Sequence, residues 1–201
     1  VLMMNNSDGW YYPSQYKGEN NQILLDYLTE ERNADENREK TIFAAHKAVT
    51  RFSKIIEHQY EEVSHVVLFN YIGLSMLCQT DTWESELANA NRLLPYLDEF
   101  YQYYLHDLNY ANALLKGDVA SAKESLEILK SLDPPLLRHY RIILQKRQLV
   151  QEDLLTTQKI INGDPFEYHR IIHTACSHVQ DDSCYFWGRG FLLSDLQFLS
   201  F

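Results

Sequence analysis

Residues 108–135, LNYANALLKGDVASAKESLEILKSLDPP, decide the fold. Ala111, Leu114 and Leu115 lie before the glycine of this stretch, and Val119, Ala122, Leu126 and Leu129 lie after it. Spacing of three and four is the period of two helices that each bury one stripe. Gly117 can adopt the left-handed conformation that ends a helix, and the Asp118 carboxylate can accept the first backbone N–H of the next. Ala122 is small enough to let the two backbones approach. Asp133 is expected to cap a third helix, with Pro134 at its first position, where a missing N–H costs nothing. The stretch predicts a helix–turn–helix corner at Gly117-Asp118.

Working outward, the same period recurs. Ile42, Ala45, Val49, Phe52 and Ile56 mark a helix over about 35–58, and a second over 61–78 is apolar nearly all round after Val66. A helix that apolar is expected in the core, with Val66, Leu68, Ile72, Leu77, Leu114, Ala122, Leu126 and Ile143 shielded from solvent. Asp81 and Glu84 form a capping arrangement, and Pro95 should stop or kink the helix they open. Gly163-Asp164-Pro165 repeats the stop-and-start device and opens a helix to about residue 179. A shorter helix over about 21–32 turns Ile23, Leu24, Tyr27 and Leu28 inward. Residues 1–20, broken by Gly9, Pro13 and Gly18, read as an irregular arm, so the chain divides into that arm and one helical domain over 21–201. Alternating β-branched runs and Asn-Gly hairpin turns are both missing. The fold class is all-α, built of antiparallel helical hairpins.

Gly117-Asp118, Ala122, Leu126, Leu132 and Asp133-Pro134 match, in order and without a gap, the second half of a tetratricopeptide repeat. This hairpin resembles one such unit. The first half departs from the pattern: Tyr110 occupies the place of a small residue, with Ala111 one position late, and Ala113 replaces an aromatic. The resemblance implies a protein-binding helical scaffold. Hairpin boundaries near 81, 118, 133 and 164 are unevenly spaced, which points to an irregular tetratricopeptide-like bundle and not a regular array.

Hydrophobic residues make up 45% of the 201, enough for a substantial core, and 28 acidic against 18 basic side chains leave a net charge of −10. Such a chain repels nucleic acid and anionic membranes and suits a basic partner. The most apolar run, 66–78, is too short to cross a bilayer. Three cysteines (Cys78, Cys176, Cys184) make no disulfide scaffold, so a reducing, cytoplasmic setting is expected.

Chemistry has few places to reside. His169, His173 and Cys176 fall at i, i+4 and i+7 on one helix and could share a zinc, with Cys184 or His178 brought in from the turn beyond. HExxH and CxxC are absent, and ordinary helix histidines are the better reading. The two downstream cysteines read as inert thiols ahead of a redox or nucleophilic pair. Gly188-Arg189-Gly190 lacks the rest of a phosphate loop and reads as a turn. Glu30-Glu31, Glu61-Glu62 and Asp181-Asp182 read as solvated faces. No catalytic residue and no cofactor is expected.

Tyrosine is the remaining distinctive feature, at 14 residues. Tyr96, Phe100, Tyr103 and Tyr110 follow one line of a helix, and Leu97, Tyr101, Tyr104, Leu108 and Leu115 another. One line should serve the core and the other a neighbouring hairpin or a partner, because tyrosine buries area yet tolerates water. With Asp98, Glu99 and Asp107 on the same segment, Tyr96, Tyr103 and Tyr110 are the expected contacts for a basic protein. An acidic all-α chain of this size resembles, as a class, the helical immunity proteins of bacterial polymorphic toxin systems. That likeness implies binding and neutralising a cognate toxin. A tetratricopeptide-like scaffold is the nearest alternative, and a metal-dependent enzyme using the His/His/Cys helix is the alternative from another class.

Overall fold

Two compact units make up the chain, residues 1–83 with 191–201 and residues 84–190. The computed structural model describes residues 3–5, 9–11, 22–24, 26–27, 29–31, 33–35, 37–58, 65–134, 138–157 and 163–177. Helix is the dominant element throughout them.

The first unit opens with a two-stranded ribbon where the sequence predicted an irregular arm. Met3–Asn5 (β1) and Gly9–Tyr11 (β2) pair antiparallel, Met3 opposite Tyr11 and Asn5 opposite Gly9. The described residues between 22 and 34 are helical (α1) and bury Ile23, Leu24 and Tyr27. Helix α2, Arg38–His58, is capped by Asn37, whose Oδ1 accepts the Lys40 N–H at 3.0 Å. Its buried stripe of Ala45, Ala48, Val49, Phe52, Ile55 and Ile56 packs against α3, His65–Cys78. Surface pairs tie α1 to α2: Asp26 with Arg51 and Glu30 with Lys47.

Helix α3 is buried on nearly every side over its second half, as its composition predicts, though Leu68 is only half-buried. Its end carries no glycine. Gln79 takes φ +54°, its N–H donates to the Met76 carbonyl at 3.1 Å, and the Thr80 N–H donates to Ser75 at 3.0 Å. These are the paired bonds of a left-handed helix stop.

The second unit is a run of helices. Helix α4 spans Trp83–Asn91, and Pro95 sits inside a 3₁₀ turn, Leu94–Tyr96, that breaks it from α5, Glu99–Leu115. Asp98 caps α5 by accepting the N–H groups of Phe100 and Tyr101 at 3.0 and 3.2 Å. At the far end of α5, Gly117 has φ +72°. The Gly117 N–H donates to Leu114 at 3.1 Å and the Asp118 N–H to Ala113 at 2.9 Å. Asp118 then caps α6, Val119–Ser131, by accepting from Ser121 N–H at 3.1 Å. The corner forms as the sequence predicts. Ala122, Leu126 and Leu129 of α6 are buried, and among the described residues α5 with α6 is the most extensively packed helix pair.

Helix α7, Arg138–Thr156, starts later than expected. Asp133 pairs with Arg141 at 2.8 Å, and residues 132–134 lie outside any helix. Before α8, Pro165–Ser177, Gly163 has φ +73° and Asp164 accepts from the Phe166 N–H at 3.1 Å. Successive helices pack on one another, α6 on α7 and α7 on α8. Among the described residues no helix is long and apolar enough to cross a membrane.

Candidate functional site

Aromatic residues at three-and-four spacing on both lines of α5 force it into the centre of its unit. Phe100, Tyr101, Tyr103, Tyr104, Leu105, Leu108, Tyr110 and Ala111 are all buried. Within α5 both lines face protein, so of the two roles expected for the second line, a neighbouring hairpin or a partner, the structure fills the first. Tyr103 and Tyr110, expected at an interface, are 1% and 0% exposed, and Asp107 between them is 3% exposed. No partner can reach these three. The physical reason is that a central helix has neighbours on every side, which a one-sided reading of its wheel omits.

Burying Asp107 requires compensation, and α7 supplies it. Arg147 donates through Nε to Asp107 Oδ1 at 2.9 Å and through Nη2 to Oδ2 at 2.6 Å, a two-pronged fork on the carboxylate. Gln151 Nε2 adds a third bond to Oδ1 at 2.7 Å. The Tyr110 hydroxyl donates to the Gln151 carbonyl at 2.6 Å. Gln148 Nε2 lies 3.2 Å from both the Tyr103 hydroxyl and the Leu129 carbonyl, linking α5, α6 and α7. Burial pushes the Tyr103 and Tyr110 hydroxyls above their ordinary pKa, reinforced by the negative charge of Asp107. Neutral, hydrogen-bonded hydroxyls locked in a core hold structure.

Tyr96, Asp98 and Glu99 are the predicted contacts that the fold leaves at the surface. Tyr96 is 85% exposed. It stands on the 3₁₀ turn beside Pro95, whose ring fixes the local backbone. Asp98 has a second role that sequence reasoning missed, as the cap of α5. Its position directly before a helical aromatic run was the available signal. Partial desolvation pushes the Asp98 carboxyl above its ordinary value, opposed by the two backbone N–H groups and aided by the charge of Glu99.

The other candidates fare differently. His169 is buried on α8, while the side chains of His173 and Cys176 lie outside the described residues. Cys184, His178 and the 188–190 loop lie outside them too. Among the described residues no group of three His, Cys, Asp or Glu side chains could hold a metal ion. Glu31, read as part of a solvated pair, is buried; Glu61, Glu62, Asp181 and Asp182 are not among the described residues. Large apolar side chains also stand exposed at Phe43, Ile142 and Leu149. Comparison with protein-family models, with curated proteins and with solved structures returned no match.

Proposed function

We propose that this chain is a non-enzymatic binding protein whose contact point is the knuckle formed by Pro95, Tyr96, Asp98 and Glu99, and whose partner is a basic protein. The observation that carries this reading is Tyr96, 85% exposed on a proline-stiffened turn. An aromatic ring presented rigidly loses little entropy when a partner covers it, and such rings dominate binding energy. The flanking Asp98 and Glu99, on a chain of charge −10, would steer a cationic surface toward it. Neutralisation of a toxin by an immunity protein is one form this binding takes. The α5–α6 hairpin, tetratricopeptide-like at its corner, is the scaffold behind the knuckle.

The test starts from affinity capture in the native host, followed by rate measurements on the captured partner. Tyr96→Ala should raise the dissociation rate by about 30-fold, the equivalent of roughly 2 kcal/mol for a central anchor. Asp98→Ser keeps a capping oxygen while removing charge; combined with Glu99→Gln it should lower the association rate, most visibly at low salt. A partner whose rates ignore both sets of changes places the interface elsewhere. Turnover of a small molecule dependent on His169, His173 and Cys176 replaces the binding reading with the enzyme reading.

A further inference from the structure

Helix α7 carries apolar side chains on two opposite faces. Leu144 and Leu154 are buried, with Arg147 and Gln151 buried between them. The offsets of three, seven and ten residues from Leu144 place these four on one side of the helix. Ile142 and Leu149 are seven residues apart and lie about half a turn round, 42% and 63% exposed. Burial by hydrophobicity alone does not choose this orientation. The inward face must desolvate a guanidinium and an amide, which is costly, while two large aliphatic side chains stay in water.

What the inward orientation has in its favour is geometry. The Arg147 fork and the Gln151 amide meet Asp107, and Gln148 reaches Tyr103 and Leu129, only at one rotation of α7 about its axis. Any other rotation strands Asp107 in the interior of α5 without its cation. We infer that the Asp107–Arg147 pair is a rotational lock: it selects the orientation of α7 that buries Arg147 and Gln151 over the one that buries Ile142 and Leu149. Buried polar pairs are best attested in this registering role, since their net contribution to stability is small while the penalty for mispairing is large. The inference does not depend on the binding knuckle.

A cysteine at position 149 reports the rotation. In the full chain carrying Leu149→Cys, maleimide should label that site rapidly, read by peptide mapping to separate it from Cys78, Cys176 and Cys184. Adding Asp107→Asn takes the carboxylate out of the Arg147 fork, and turning α7 outward relieves the mismatch. Labelling at 149 should then slow at least tenfold, with the helical circular dichroism signal retained. Adding Arg147→Met to that variant removes the guanidinium from the inward face and should restore rapid labelling. Asp107→Ala, a smaller change, repeats the test without a new buried amide. The lock is overturned if either Asp107 variant stays folded with unchanged labelling, or if Arg147→Met fails to restore it. It is also overturned if neither Asp107 variant folds, because the outward apolar face then cannot hold α7.

Discussion

Gly117 and Gly163 offer a paired measurement, because the same backbone strain is present at both and only one adds a steric contact. Their φ values are +72° and +73°. An alanine forced into this region costs about 1–2 kcal/mol, offset by about 0.5–1 kcal/mol from the stiffer unfolded chain. A Cβ at Gly117 would meet no atom within 4 Å, so Gly117→Ala should lose only that balance, about 0.5–1 kcal/mol. A Cβ at Gly163 would lie 3.1 Å from the Leu115 carbonyl oxygen, and backbone on both sides must shift to make room. Overpacking of this kind adds about 1–2 kcal/mol, bringing Gly163→Ala to about 1.5–3 kcal/mol. In urea, with a slope of about 2 kcal/mol/M, the midpoints should fall by about 0.3–0.5 M and about 0.8–1.5 M. Gly117→Asn should cost less than Gly117→Ala, because asparagine tolerates the left-handed region. If Gly163→Ala proved no more costly than Gly117→Ala, the close approach of the α7–α8 turn to the end of α5 would be wrong.

Burial pushes the Cys78 thiol up to about 12, so roughly one molecule in ten thousand carries the reactive thiolate at pH 8. Peptide mapping after iodoacetamide should therefore find Cys78 unmodified in the native protein and modified in urea. Ala122 is fully buried on α6, and Ala122→Leu should cost about 1–3 kcal/mol by overpacking; an unchanged urea midpoint would refute the packing of the central hairpin. Burial holds His106 below its ordinary pKa of 6.5, partly opposed by Glu124. The unfolded chain then binds more protons just below pH 6.5, so this group's contribution is full above that value and is lost as pH falls through the folded pKa. His106→Gln should flatten the stability profile on that acid side, and a profile identical to wild type would remove His106 as its source.

The parts of the fold that were legible in sequence are those written in local punctuation. Gly117-Asp118 and Gly163-Asp164-Pro165 announce their turns because glycine, a capping carboxylate and proline each act within a few residues of where they sit. Pro95 separates α4 from α5 for the same local reason. Gln79 shows the limit. It holds a left-handed φ of +54° at the end of α3, and nothing in its side chain signals that; the conformation is imposed by the bonds from residues 79 and 80 back into the helix. The N-terminal ribbon was hidden too, since two three-residue strands offer too few alternations to register as a pattern.

The candidate site was misplaced at Tyr103, Asp107 and Tyr110 for a reason that reaches beyond local sequence. An acidic residue between tyrosines reads as surface because an isolated buried carboxylate is so costly. The cost is removed by Arg147 and Gln151, 40 and 44 residues further on, and no spacing rule links them to Asp107. The clue lay on α7, where Arg147 and Gln151 interrupt the line that Leu144 and Leu154 define, while Ile142 and Leu149 fall on the opposite side. A helix whose apolar residues occupy two faces, with a cation and an amide on one of them, is asking for a buried acidic partner. Asp107 is the carboxylate that the α5 wheel had already placed on an apolar helix. Read together, the two anomalies identify each other. Moved by that pairing, the surface candidate contracts to Tyr96, Asp98 and Glu99, where a single 3₁₀ turn leads into α5 and holds Tyr96 clear of the packing that claims Tyr101, Tyr103, Tyr104 and Tyr110.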